Sequence, residues 1–370
     1  MKLIFLDRKT LAYKDNAYVG NQYEIVLDSV LIQRSTFSVN KTSINTVNGD
    51  ILILKEASIT YIGIVESIEE KDIYTDVKSV DFREMFDVQI PVYSFSGDLV
   101  DYLYTLIEDN YINSSDSNQN LSYLYIVKES YIQGDMYYES DKIEKISTVT
   151  ELLSKAYGIG YRFEVEYLRG RITGIKLRIV DVSLGIKIRS DLKAISNLTT
   201  NDSSSQLTNK VTYYPKTDNE VCKSIENFYL QTNGEITQAE NSYLRYSTVM
   251  SKSYFYTDND YDSLVIKARS EMVSSKLDHN ITFTIDINNK IFRLFDNVNL
   301  GDYISFIHNG REYDTIISGI KFKNCLNYAQ ITLGEYRVKL TEKIQLLSKS
   351  TKQSNTSVTI TNNNLDGGEF

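Results

Sequence analysis

The chain has no tryptophan, and only two prolines, two cysteines and two histidines in 370 residues. Each shortage excludes something. Cys222 and Cys325 are too few for a disulfide scaffold, and no CxxC pair is present. His279 and His308 leave little material for imidazole catalysis or for a zinc centre built from Cys and His. No HExxH, GxSxG, P-loop or GxGxxG pattern occurs, and Gly158-Ile159-Gly160 reads as a helix terminator. The N-terminal apolar run, Leu3 to Leu6, is too short for the core of a signal peptide. No run approaches the roughly 20 apolar residues of a membrane-spanning helix. Synthesis in a cytoplasm without helical membrane insertion is expected. Positive charge is also in deficit: the net charge is −9 and the pI about 5.0. Gripping nucleic acid takes clustered Lys and Arg, so an acidic chain suits it poorly. Such a chain could still line a passage through which DNA slides.

What is present is β-rich. Hydrophobic residues make up 42% of the chain, which rules out a disordered protein, and there are 29 tyrosines. Tyrosine suits pleated, half-buried surfaces and interfaces that are apolar at one end and wet at the other. The same bias is what an AT-rich coding sequence produces.

Residues 1–90 read as short strands. Tyr23 to Leu27 and Ser35 to Val39 alternate, and Asp50 to Leu54 is a run for a strand buried on both faces. Thr60 to Ile68 is a long strand in which Gly63 permits a bulge, and Tyr74 to Phe82 follows. The pattern changes at Pro91. Ser94 to Asn110 has helical spacing, with Leu99, Leu103, Leu106 and Ile107 on one face and Ser96 as the expected N-cap. A strand over Leu121 to Lys128, a helix over Thr148 to Tyr157 capped by Ser147, and a hairpin around Arg169-Gly170-Arg171 complete this segment. A third region starts near Leu184. Asn197 to Ser205 reads as a linker, and Lys210 to Tyr214 as a strand. Tyr261 to Leu277 reads as the strongest helix, with Leu264, Ala268, Met272 and Ser275 on one face. The tail 348–370 is polar.

One acidic stretch, Asp258 to Asp262, resembles the start of a calcium loop. It fails at the sixth position, Ser263, and at the twelfth, Arg269. A solvated helix N-terminus is the better reading. His308 belongs to the tight turn His308-Asn309-Gly310, and His279 follows a helix end, where positive charge is favoured. No pair of carboxylates stands out for glycoside hydrolysis. No catalytic residue, metal site or cofactor site is expected.

The strongest signal is an internal echo. Gly49, Asp50, Tyr61, Ile64 and Ile68 reappear as Gly301, Asp302, Tyr313, Ile316 and Ile320, at an offset of 252 residues (301 − 49 and 320 − 68 alike). Asp81-Phe82-Arg83 is answered by Glu335-Tyr336-Arg337, two residues further on. The expected fold is therefore α+β and mainly β. Two related small antiparallel barrels, at 1–90 and 184–347, are separated by an inserted α/β domain at 91–183. The second barrel is accompanied by the helix 261–277. Gly49, Asp50, Tyr61, Arg83, Gly301, Asp302, Tyr313 and Arg337 are the candidate repeat and interface residues.

The runs Leu300-Gly301-Asp302-Tyr303-Ile304, Arg311-Glu312-Tyr313, Ile317-Ser318-Gly319-Ile320 and Ile331-Thr332-Leu333-Gly334 resemble the barrel of tail hub proteins from tailed phages. Tyr61-Ile62-Gly63-Ile64-Val65 with Asp81-Phe82-Arg83 looks similar. The resemblance implies a homotrimer whose six barrels form a pseudo-sixfold ring. It implies as partners a hexameric distal tail protein, the tape measure protein and receptor-binding proteins, with phage DNA in transit. Family members often carry a C-terminal peptidoglycan hydrolase. The sequence ends at Phe370 without one, so a short structural hub is expected. A cell-wall hydrolase and a carbohydrate- or receptor-binding tail protein are the alternatives.

Overall fold

The computed structural model describes residues 1–29, 32–56, 59–138, 142–183, 186–202, 208–216, 224–256, 263–277, 279–289 and 292–334. The acidic stretch 258–262, Cys222, Arg337 and the tail 348–370 lie outside them.

Six strands open the chain: β1 (Lys2–Leu6), β2 (Tyr13–Asp28), β3 (Arg34–Val39), β4 (Ile51–Glu56), β5 (Ile59–Glu70) and β6 (Thr75–Asp81). They pair in the order β1-β4-β5-β6-β3-β2, and β2 returns to β1, closing an antiparallel barrel. Alternation builds it. In β3, Ser35, Phe37 and Val39 are buried and the residues between them are not. β4 is buried on both faces for a specific reason. Leu52 and Leu54 fill the barrel, while Ile51 and Ile53 pack into the core of the segment that follows.

A short 3-10 turn, Phe82–Phe86, leads into that segment. Its elements are β7 (Gln89–Pro91), β8 (Phe95–Asp98), α1 (Leu99–Tyr111), β9 (Leu124–Lys128), β10 (Gln133–Met136), β11 (Ile143–Lys145), α2 (Ile146–Tyr157), β12 (Ile159–Leu168) and β13 (Arg171–Asp181). β12, β13 and β9 form one sheet, and β8–β10 and β7–β11 are two-stranded ribbons. The helices bury the expected leucines, but their caps differ. Asp98 rather than Ser96 caps α1, accepting from the Val100 amide at 3.1 Å, because Ser96 lies in β8 and bonds Asp135 at 2.7 Å. α2 begins at Ile146, not after Ser147. It ends on Gly158 at φ 68°, a left-handed position that glycine takes without strain.

The remaining elements are β14 (Ile186–Arg189), β15 (Ile195–Asp202), β16 (Lys210–Pro215), β17 (Glu226–Leu230), β18 (Ile236–Thr237), β19 (Ser251–Tyr256), α3 (Leu264–Lys276), β20 (His279–Asp286), β21 (Tyr303–His308), β22 (Arg311–Lys323) and β23 (Tyr328–Gly334). Two expectations are corrected here. The supposed linker from Asn197 is mostly strand β15, paired with β20. Its exposed Thr199 and Thr200 disguised it. Among the described residues the long helix packs chiefly on α2 and on a sheet separate from the barrel strands. α3 packs on the four-stranded sheet β18-β17-β16-β19, with Leu264, Ala268 and Met272 against Val211, Tyr213, Phe228 and Leu230. This unit is inserted between β15 and β20.

The other six strands pair in the order β14-β21-β22-β23-β20-β15. Counted one to six within each set, both sets follow the order 1-4-5-6-3-2. They differ at strand one: β14 runs parallel to β21, whereas β1 runs antiparallel to β4. Among the described residues no β14–β15 pairing closes the second set. The two sets are fused. β2 pairs antiparallel with β22, from Glu24↔Lys323 to Asp28↔Gly319, making one twelve-stranded sheet. A single apolar cluster, including Phe5, Phe37, Phe283, Phe306 and Phe322, runs through both.

Candidate assembly site: a Gly-Asp turn built twice

Gly49 and Gly301 precede β4 and β21 with φ of 95° and 85°. L-residues resist this region, which is why glycine stands at both places. The two turns share their hydrogen bonds atom for atom. The Gly49 amide donates to the Val65 carbonyl at 2.7 Å, and that of Gly301 to Ile317 at 2.8 Å. Val65 returns a bond to the Asp50 carbonyl at 2.8 Å, and Ile317 to Asp302 at 3.0 Å. One carboxylate oxygen of Asp50 accepts from the Val47 amide and one of Asp302 from the Asn299 amide, both at 2.8 Å. The ladders continue in the same register, Ile51↔Ile64 and Tyr303↔Ile316. A bulge then falls between Val65 and Ser67, and between Ile317 and Gly319. All these partners are 252 residues apart.

The cations that face the two carboxylates differ. Asp50 meets Lys14 of β2 at 2.8 Å and the Thr46 hydroxyl at 2.8 Å. Asp302 is fully buried and is paired with Arg162 of β12, in the segment inserted between the barrels. Burial raises the Asp302 carboxyl above its ordinary value, against the opposing pull of Arg162 and the Asn299 amide. Its neighbour Tyr303 also faces that segment. The Tyr303 amide donates to the Val182 carbonyl at 2.9 Å, and burial pushes its phenol up to about 12. The second turn is therefore also a clasp between barrel and insert.

The remaining candidates are placed as follows. Tyr61 is buried, and its hydroxyl meets Ser79 Oγ at 2.8 Å. Its ring lies over Gly63, where a Cβ would come within 2.7 Å of the hydroxyl. At the equivalent of Gly63 stands Thr315, whose hydroxyl meets His279 Nε2 at 2.7 Å beside the half-buried Tyr313. His279 is thus a buried core group on β20. Arg83 folds back on Asp81 at 2.9 Å in the 3-10 turn. Asn309 and Gly310 adopt φ of 50° and 76°, the expected two-residue turn, and His308 Nδ1 meets Ser190 Oγ at 2.9 Å. Lys14 and Arg162 were not legible. Each lies far along the chain from its aspartate, and nothing in its own strand marks it.

No family model matches the chain, and no curated protein matches it by sequence. Solved structures do. Prophage tail protein gp18 from Listeria monocytogenes EGD-e is 14% identical with a TM-score of 0.54, over 95% of this chain and 100% of that one. The 43 kDa tail protein of prophage MuSo2 from Shewanella oneidensis is 11% identical with a TM-score of 0.52, over 90% and 98%. The chain has the fold of phage tail proteins.

Within this tail-protein fold, a cavity of about 290 Å³ lies beside α1, lined by Ile64, Phe82, Met85, Tyr111, Tyr123 and Arg8 among others. Its lining holds no carboxylate, histidine, serine or cysteine, and its ionisable groups are Arg8, Tyr111 and Tyr123. Among the described residues no group of three or more His, Cys, Asp or Glu is placed to hold a metal ion. No described helix is long and apolar enough to cross a membrane.

Proposed function

We propose that the chain is the structural hub of a phage tail tip or baseplate and works as a homotrimer. One observation carries this reading. Two six-stranded sets of one strand order, the first closed into a barrel, with the same turn and the same bulge, are fused edge to edge within the chain. Three such chains present six nearly equivalent barrels, and repeated equivalent surfaces are what a closed ring requires. A hexameric distal tail protein docks on that pseudo-sixfold face, and the threefold tip continues below it. The Gly-Asp turns set the barrel edges at that ring. The acidic chain lines or closes the channel, so that DNA passes without adhering. The tape measure protein and receptor-binding proteins are its further partners in the virion.

Sedimentation velocity tests the assembly. Three copies of the 42.5 kDa chain are expected, alone or with the distal tail ring protein. A stable monomer in both conditions refutes the hub reading. Zymography on host cell walls should show no clearing; clearing would restore the hydrolase reading.

A further inference from the structure

The joint inside the chain specifies a second joint that the single chain leaves unmade. In the joint between β2 and β22, each strand uses only its second half. On the same edge, the first half of β2 is taken by β1 and that of β22 by β21. The equivalent strands are β15 for β2 and β5 for β22. β4 covers β5 only as far as Ile64, and beyond it Ser67 to Glu70 pair with β6 alone. β15 pairs with β20 on one edge and with no described strand on the other. Among the described residues, two unpaired strand edges therefore stand at the two positions that the internal joint fills.

The alignment fixes a register. Phe37 of β3 and Phe283 of β20 occupy matching places, opposite Val77 and Ile331. Glu24 pairs with Thr36, one residue before Phe37, and Thr199 pairs with Thr282, one residue before Phe283. Glu24 and Thr199 are therefore equivalent, and a bulge precedes each of them. The observed pair Ile25↔Phe322 then maps onto Thr200 and Glu70. Thr199, Thr200, Glu69 and Glu70 are all exposed. β15 contains no Pro or Lys, the usual guards of an open edge.

We infer that β15 of one chain pairs antiparallel with the Ser67–Glu70 end of β5 in a second copy of this chain. The register is Thr199↔Lys71, Thr200↔Glu70 and Asn201↔Glu69. The contact is head-to-tail, so its closure into a ring of three rests on the trimer reading, whereas the seam itself does not.

Disulfide trapping tests it. In a Cys222→Ser, Cys325→Ser background, Thr200→Cys and Glu70→Cys are combined and the assembled protein is oxidised with copper-phenanthroline. Directly opposed strand residues lie about 4.5–5.5 Å apart, within disulfide reach. The expected product is a ladder of covalent dimer and trimer on non-reducing gels. The slipped pair Thr199→Cys with Glu70→Cys should not bridge, because a one-residue slip turns one side chain to the other face. Should the first pair disturb assembly, Asn201→Cys with Glu69→Cys repeats the test on the opposite face. A trimer by sedimentation without bridging, or with equal bridging in the slipped pair, overturns the seam and leaves the hub reading intact. A monomer overturns both.

Discussion

Replacing Asp302 with alanine measures what the second Gly-Asp turn contributes, and Asp50→Ala is its internal control. Asp302 is fully buried, holds the Asn299 amide at 2.8 Å and is paired with Arg162. Its removal strands Arg162, which is 19% exposed and whose Nε already lacks a partner. Breaking a buried pair by deleting one member costs about 3–5 kcal/mol, since the remaining charge is uncompensated. Asp50 makes a matching amide bond, but Lys14 is 26% exposed and has Asp7 at 3.5 Å, and the Val47 side of the turn is open to water. Solvent can replace most of what is lost, so Asp50→Ala should cost about 1 kcal/mol. Urea unfolding followed by circular dichroism and tyrosine fluorescence reads both values from the midpoints at unchanged slope. Adding Arg162→Leu to Asp302→Ala should recover at least half of the loss, because it removes the stranded charge. If the two alanine variants lie within about 1 kcal/mol of each other, or Arg162→Leu rescues nothing, the clasp between barrel and insert is wrong.

Other outcomes follow from the same geometry. Gly49→Ala and Gly301→Ala should each cost about 1–2 kcal/mol, because the added Cβ meets nothing closer than Arg8 at 4.0 Å and only backbone strain remains. Their midpoints in urea should shift alike, and a neutral Gly301→Ala refutes the positive φ. Gly63→Ala drives a Cβ into the Tyr61 ring, within 2.8 Å of Cε1, and should destabilise by about 1–3 kcal/mol; no change in thermal midpoint would show that the ring can swing away. Asp302 also sets a pH slope. Its folded pKa lies above the ordinary 3.8, so folding favours the neutral form. The stability this adds is complete below the unfolded value and is lost as pH rises through the folded one. The advantage of the wild type over Asp302→Asn should therefore shrink from about pH 4 towards neutrality, and an advantage that grows instead refutes the sign.

The barrel strands were legible because their signal is local. Alternation marks β3, a short apolar run marks β4, and Asn309-Gly310 marks the β21–β22 turn. The matching Gly-Asp turns were legible because a positive φ favours glycine at both places. What failed was set by neighbours. β15 reads as a linker because its outer edge pairs with no other described strand and its Thr199 and Thr200 side chains are exposed. α3 carries a buried stripe that matches a sheet or a barrel equally well, and only the strands around it decide which. Arg162 and Lys14 show the limit most plainly. Ion pairs across 140 and 36 residues leave no trace in either local pattern.

The two strand sets are not alike throughout. Strand one runs the opposite way in the second set, a helix and four strands lie between its strands two and three, and Thr315 beside His279 stands where the first set has Gly63. The Gly-Asp turn, the bulge of strand five and the bulge of strand two are kept in register. The Gly-Asp turn and the bulge of strand five lie together, joined by the Gly49–Val65 and Gly301–Ile317 bonds, where strand five leaves strand four. A bulge there increases the local twist and turns the strand end out of its own barrel. In β22 that redirected end is the part that reaches β2, and the carbonyl of the bulged Ser318 accepts from the Ser29 amide at 2.8 Å. A bulge needed only for closing a single barrel would not have to sit at the same residue in a closed set and in one without a described closing pair. A bulge that aims a strand at its neighbour would, because every joint of a ring must repeat the same geometry.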